Sequence, residues 1–311
     1  MYIFKDELVK WIEKKGVTRK ELIALLQHAN YEEFKGLDAI TVSRWINGKT
    51  TPQLYKQLYI AKYLDADLLD IICRVSASSL KLTEKMIFTA QLITKNLDFS
   101  SLSISYKKQP NKTFCKIKKE SFSEHYHNYS EFHSNIGALE FFFEELYNLK
   151  NKVSYKSITL ENSSGDLIGH YSGITNITPL HNLSIFKNMK NAELDKSVLI
   201  NVGFFSSYKH YLELLDHAIC YYLFSLIKKV ENLYLFVAGS AIYEITKNLL
   251  GMEMIDYFPP NNSESKIGVY LFKIDILKAI CNPLLFPSAQ KKLKCALECK
   301  SCNLCNLKDF L

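Results

Sequence analysis

No run of eighteen apolar residues occurs anywhere in this chain of 311 residues, which argues against a helix that spans a membrane. A secretory signal is not expected either, since the N-terminus leads directly into an amphipathic helix. These absences lead us to expect a cytoplasmic protein with no membrane partner. In that compartment the eight cysteines are not a disulfide framework, and are expected to be reduced, buried or metal-bound. A strong excess of one charge is also missing: 39 Lys and Arg against 32 Asp and Glu leave +7, a weak bias toward a polyanionic partner. Apolar residues are plentiful at 48%, enough for real cores, and the length has room for two domains.

The most informative stretch runs from Leu37 to Pro52, LDAITVSRWINGKTTP. Asp38 is a fitting N-cap, because its carboxylate accepts an orphan backbone N–H and its charge suits the positive helix end. Ile40, Val42 and Trp45 are expected to pack inward, leaving Ala39, Thr41, Ser43 and Arg44 as a short, basic outer surface of the kind a major groove admits. Asn47-Gly48 stops the helix. Before it, Lys5 to Lys15 has apolar residues at helical spacing, and Thr18 with Glu21 has the capping-box pattern ahead of Leu22, Leu25 and Leu26. After it, Leu54 to Leu64 and Leu68 to Ile72 make two more helices.

Residues 5–73 resemble the Cro/repressor-type (XRE) helix-turn-helix domain. The resemblance rests on Thr18-Arg19-Lys20-Glu21-Leu22, Val42-Ser43-Arg44-Trp45-Ile46-Asn47-Gly48-Lys49 with Pro52, and Ile60-Ala61-Lys62-Tyr63-Leu64. It departs from that family between His28 and Leu37, where a tight turn is replaced by a longer segment with Tyr31 and Phe34. The resemblance implies double-stranded DNA as partner, with Thr41, Ser43 and Arg44 toward the bases and Thr18, Arg19, Asn47 and Lys49 toward phosphates. It also implies a homodimer, since one small domain covers few base pairs.

Residues 75–100 read as a helical connector, and Lys107 to Lys119 as a basic loop with a hairpin at Pro110-Asn111. Glu124 to His133, EHYHNYSEFH, collects histidines, but its spacing fits a polar strand-to-helix corner better than a metal site. Ser130 to Tyr147 then looks helical. Two strands, Ser157–Glu161 and Leu167–Tyr171, flank the turn residues Asn162-Ser163-Ser164-Gly165-Asp166. There follow a strand at Ser197–Val202, a helix at Tyr211–Lys228, a strand at Leu233–Val237, a helix at Ala241–Leu249 and a strand at Ile267–Phe272. That order predicts a mixed sheet covered by helices.

Over residues 113–274 the layout resembles the GNAT acyltransferase fold, with Gly239-Ser240-Ala241-Ile242-Tyr243 opening a helix that Leu249-Leu250-Gly251-Met252 closes. In that family the acyl-CoA pyrophosphate sits on a Gly-rich turn at a helix N-terminus. Here the corresponding Gly203-Phe204-Phe205-Ser206-Ser207-Tyr208-Lys209-His210 has its glycine early and bulky Tyr208 and His210 in the turn, while Lys247 replaces the family's frequent tyrosine acid. The fold expected is therefore multi-domain: an all-α helix-turn-helix domain over 1–74, the connector, an α+β GNAT-like domain over 101–275 for sensing a small molecule or dimerising, and a Cys-rich tail over 276–311. The function expected is DNA-binding transcription regulation without enzymatic activity and without acyl-CoA. Its alternative is a DNA-associated N-acyltransferase, with Tyr208, His210, Tyr243 or Lys247 near the chemistry. Gly169-His170-Tyr171-Ser172-Gly173 misses a hydrolase's nucleophile elbow by one residue.

In the tail, Cys295, Cys299, Cys302 and Cys305 are separated by three, two and two residues, the bacterial ferredoxin spacing reversed. They are candidate ligands for an iron–sulfur cluster or zinc and so for a redox signal. The competing reading is four small apolar residues on one face of a helix, beside Leu293 and Leu297.

Overall fold

Side-chain caps from Thr18, Asn30, Asp38 and Asp67 fix where four helices of the N-terminal unit start in the computed structural model. The structure describes residues 2–77, 80, 82–84, 86–91, 94, 95, 112–261, 267–299 and 302–311, and the chain forms two compact units, residues 1–81 and 82–311. The first unit is all-α: α1 (Phe4–Lys15), α2 (Arg19–Ala29), α3 (Tyr31–Phe34), α4 (Ala39–Ile46), α5 (Leu54–Tyr63) and α6 (Leu68–Arg74). The capping box at α2 is complete, with Thr18 N donating to Glu21 Oε2 at 2.7 Å and Glu21 N to Thr18 Oγ1 at 3.3 Å. Asp38 accepts from Thr41 N at 2.7 Å and starts α4. The longer segment before α4 is ordered as α3: Phe34 is buried, and Gln27 Nε2 donates to the carbonyls of Phe34 and Leu37.

Leu8, Trp11, Leu22, Leu26, Val42, Trp45 and Leu58 fill the core of this unit. Ile40 differs from expectation, being 63% exposed. At 100° per residue it lies about 200° around α4 from Val42, so one helix face cannot bury both.

The second unit is built on an eight-stranded mixed sheet. Its strands are β1 (Phe114–Ser121), β2 (Ser154–Glu161), β3 (Leu167–Ile174), β4 (Ser197–Ile200), β5 (Phe204–Phe205), β6 (Asn232–Ala238), β7 (Glu253–Phe258) and β8 (Val269–Asp275). The order is β1-β2-β3-β4-β6-β8-β7, with β5 also on β3. Every pairing is antiparallel except that of β4 with β6. The β2–β3 hairpin turns where its sequence indicates: Asn162 Oδ1 accepts from Ser164 N and Asp166 N, and Gly165 supplies φ +84°.

Helices cover both faces. Tyr155, Ile174, Leu199, Tyr234 and Phe236 join a core with Phe122, Leu139 and Phe142 from the helices Phe122–Ser134 and Glu140–Tyr147 and the short turn between them. The helix Tyr208–Ser225 lies over β2 and β3 on the other face, with Phe286–Leu297 beside it.

Three features differ from the sequence reading. Residues 114–121 are an edge strand rather than a loop, because Cys115 and Ile117 point inward between exposed lysines. β7 was hidden by its exposed, nearly featureless pattern. The tail is integrated into the sheet: Cys115 N donates to Leu304 O at 2.7 Å, and the Asn306 amide accepts from Ile117 N at 2.8 Å and donates to Ile117 O at 3.0 Å. The later connector, residues 96–100, and the hairpin expected at Pro110-Asn111 lie outside the described residues. No helix among the described residues is long and apolar enough to cross a membrane.

Candidate active site

Ser121 closes β1 and caps the next helix in one step. It accepts from Glu124 N, and Glu124 accepts from Ser121 N, so Phe122–Ser134 is helical from its first residue. His125, Tyr129 and His133 therefore recur every four residues on one face, and all three are buried. The stretch read as a polar corner is instead a helix delivering two imidazoles to the sheet. The Ser121-x-x-Glu124 box was the sequence signal for it.

Glu120, one residue before the cap, receives this face. Its Oε2 accepts from His125 Nδ1 at 3.0 Å and from the Ser157 hydroxyl on β2, and its Oε1 from Asn128 Nδ2 at 3.4 Å. His125 Nε2 lies 3.1 Å from His133 Nε2. A carboxylate can only accept, so the network assigns the hydrogen on His125 to Nδ1. His125 Nε2 is then an acceptor, His133 donates to it through Nε2, and His133 Nδ1 is left as a lone pair, buried and without a partner.

The protonation states agree with this chain. Burial raises the Glu120 carboxyl, but hydrogen bonds from His125 and Ser157 outweigh it and hold the group below its ordinary range. Burial, reinforced by His125 and His170, pushes His133 down to about 3. His170 on β3, stacked on Tyr129 at 4.5 Å and edge-on to Phe132, is likewise pushed down by burial to about 4. Both imidazoles are neutral at pH 7.

His133 also lines an open groove of about 690 Å³ between the helices Phe122–Ser134 and Glu140–Tyr147. Two carboxylates, Glu140 and Glu144, and two phenols, Tyr126 and Tyr147, share its walls. A positively charged, partly apolar molecule matches that lining.

The centre of the sheet is split. β4 and β6 run parallel from Ser197↔Asn232 to Ile200↔Leu235 and then part. β6 continues on β8, whereas the other strand bulges over 201–203 and rejoins β3 as β5, with His170↔Phe204 and Gly169↔Phe205. Gly203 allows the bulge, because a Cβ there would stand 2.1 Å from the Tyr171 ring. Ser207 next caps the eighteen-residue helix Tyr208–Ser225, accepting from His210 N at 3.3 Å. A parallel pair that splays at the middle of a mixed sheet, followed by a helix N-terminus, decides the architecture. The C-terminal unit is an α+β fold, a mixed sheet with helices on both faces and a split at its central parallel pair.

No family model matches the chain, and no curated protein matches it. Solved structures do. A mutant of the spermidine N-acetyltransferase SpeG from Vibrio cholerae aligns at 17% identity over 53% of this chain and 96% of that one, with a TM-score of 0.32. Another mutant form of SpeG gives 16% identity, 53% and 96% coverage and a TM-score of 0.33. The same enzyme in complex with CoA and spermine gives 15% identity, 64% and 95% coverage and 0.26.

Three expectations are corrected. The absence of enzymatic activity and of acyl-CoA was expected from the departures in residues 203–210 and at Lys247, yet the solved neighbours are acetyltransferases, one of them in complex with CoA. In the structure, moreover, His210 does not fill the turn: it is buried, with Nδ1 2.7 Å from Ser206 Oγ. The iron–sulfur or zinc reading is corrected too, since no group of three or more His, Cys, Asp or Glu among the described residues is placed to hold a metal ion. Cys305 is drawn to Cys115 on the edge strand, while Cys295 lies exposed on its helix, so Cys295, Cys299, Cys302 and Cys305 do not converge.

The other sequence candidates are scattered. Thr18, Arg19, Arg44, Asn47 and Lys49 are exposed on the N-terminal unit, with Thr41 and Ser43 half-buried on α4. Lys247 donates to the Tyr243 hydroxyl at 2.8 Å, and Ser172 is buried on β3.

Proposed function

We propose that the protein is a GNAT-type N-acyltransferase that moves an acyl group from acyl-CoA to a cationic amine, carried on an N-terminal unit that binds double-stranded DNA. The observation that carries the first part is the Glu120–His125–His133 chain, which ends in an unpartnered imidazole lone pair on a residue that lines the groove. Aminolysis of a thioester needs a neutral amine. Glu140 and Glu144 draw in the ammonium form, and its proton passes to His133 Nδ1 while the Nε2 proton of His133 moves to His125 Nε2. The positive charge then rests on His125 against Glu120, which offsets the weak basicity of a buried histidine. The freed nitrogen attacks the thioester carbonyl, the C–N bond forms, the C–S bond breaks, and the second proton that the attacking nitrogen sheds goes to the departing sulfur, so that CoA leaves as the thiol.

The test is release of CoA thiol from acyl-CoA by the whole chain with a panel of primary amines, spermidine among them. Turnover should fall about 10²–10⁴-fold in Glu120→Gln and in His133→Phe, the range of a general base. Thiol release no faster than the enzyme-free blank across the panel would end the acyltransferase reading.

The DNA-binding part rests on α4, where Val42 and Trp45 anchor the helix and Arg44, Asn47 and Lys49 stand exposed. Retardation of duplex DNA by the whole chain, steeply weakened by salt, is the expected result. Equal mobility with and without protein at low salt would end it.

A further inference from the structure

On the sheet face under the helix Tyr208–Ser225 there is a cavity of about 120 Å³. Both strands of the parallel pair line it: Val198 and Ile200 come from β4, and Leu233 and Leu235 from β6. Ile200↔Leu235 is the last pair before the strands separate. Tyr171, whose ring lies against Gly203 of the bulge, is another wall, so the cavity reaches the place where the sheet splits. Tyr211 from the helix completes it. Its hydroxyl, like that of Ser172 on the β3 wall, is buried and has no hydrogen-bond partner, an orphan donor in surroundings that are otherwise almost entirely carbon.

A void of this kind costs stability, and it costs more when it strands a hydroxyl. Both costs disappear when an alkyl chain with one hydrogen-bond acceptor at its head fills the space. A cavity of roughly 150 Å³ lined by Leu, Ile and Phe takes the six carbons of benzene, so this one holds about four or five.

We infer that the cavity is an acyl pocket, and that the preferred donor is a short- to medium-chain acyl-CoA, about five or six carbons long, rather than acetyl-CoA. The inference rests on the acyltransferase reading above and names its donor class. The thioester carbonyl lies at the bulge near Tyr211, the chain runs between the paired strands and the helix, and the CoA portion extends from the split.

Calorimetric titration of the whole chain with CoA, acetyl-CoA, butyryl-CoA, hexanoyl-CoA and dodecanoyl-CoA tests this without knowledge of the acceptor. Affinity should rise about fourfold per added methylene, the value of one buried CH₂, up to about six carbons, and then stop rising or fall. Ala218→Leu narrows the pocket from the helix side and should move the optimum about two carbons shorter. Ala218→Val, a smaller insertion, should move it part of the way if the larger one disturbs folding. Acetyl-CoA bound as tightly as hexanoyl-CoA, or an optimum that neither variant moves, overturns the acyl pocket while leaving acyl transfer standing. Failure of CoA and every acyl-CoA to bind overturns both.

Discussion

Acid should unfold the C-terminal unit, and the structure sets the size of the effect. His133, His170 and His217 are buried and neutral, with burial pushing them down to about 3, 4 and 4. A group depressed in the folded state binds its proton more readily once unfolded, so each histidine's contribution is present above its unfolded value near 6.5 and is lost as pH falls toward the folded value. Between pH 7.5 and pH 5.0 each costs about 2 kcal/mol, or roughly 6 kcal/mol together. Asp216 opposes this. Burial, partly offset by Ser288, raises it to about 6, so it gains a proton in the folded state first and returns about 1.4 kcal/mol. The net loss is about 5 kcal/mol, most of the stability of an ordinary domain.

Urea unfolding followed by far-UV dichroism at the two pH values measures it. The midpoint should fall by about 2 M at pH 5.0, given a slope of roughly 2.5 kcal/mol per molar. Trp11 and Trp45 are the only tryptophans and both lie in the N-terminal unit, so tryptophan fluorescence follows that unit separately. His170→Phe removes an imidazole that has no hydrogen bonds and already lies among rings, and should abolish about a third of the histidine effect. A dichroism midpoint that moves by less than about 0.5 M, against a slope of roughly 2.5 kcal/mol per molar, would mean that these histidines are not held neutral, and the proton path argued from them would fall as well.

Gly203→Ala forces a methyl into the Tyr171 ring and should cost about 1–3 kcal/mol as an overpacked site, while weakening hexanoyl-CoA more than acetyl-CoA; unchanged thermal stability would show that the bulge is loose. Arg44→Ala should cost about 1–3 kcal/mol of DNA affinity and relax sequence preference, whereas Lys49→Ala should weaken all duplexes alike; gel retardation in which neither variant differs from the parent excludes α4 as the reading helix. If the chain binds as a homodimer on an inverted repeat, footprinting should show half-sites about 34–36 Å apart, and a single uncooperative half-site speaks against it. Asn306→Ala removes two bonds to Ile117 and should speed hydrogen exchange at β1 before any other strand; uniform exchange across the sheet contradicts that role.

Much of the fold was legible because local chemistry dictated it. Thr18 with Glu21, Asp38, and the Asn162-to-Asp166 turn each specify their structure within five residues, and the structure follows them. The misread parts depend on partners far along the chain. β1 is rich in lysine and looks like a loop until Leu304 and Asn306 cover one edge and β2 the other. The proton path needs Glu120, Ser157 and His133 together, residues from two strands and a helix. Their spacing carried only half the message: counted as a strand, His125, His127 and His133 all share one face, and only the cap at Ser121 shows that they should be counted as a helix, which buries His125 and His133 and turns His127 to the surface. The apolar cavity had no signature at all, since Val198, Leu233 and Ala218 are ordinary apolar residues of a strand or helix and nothing in their spacing marks the space between them.

The clasp between Asn306 and Ile117 also bears on the order in which the chain can be made. Its two ends are 189 residues apart, so at about 5–20 residues per second a ribosome takes roughly 10–40 s to follow one with the other. During that interval the outer edge of β1 has no neighbour and is open to strands from other chains. The lysines that disguise β1 as a loop, Lys116, Lys118 and Lys119, are the side chains that discourage such pairing. They guard a nascent sheet until its own tail arrives.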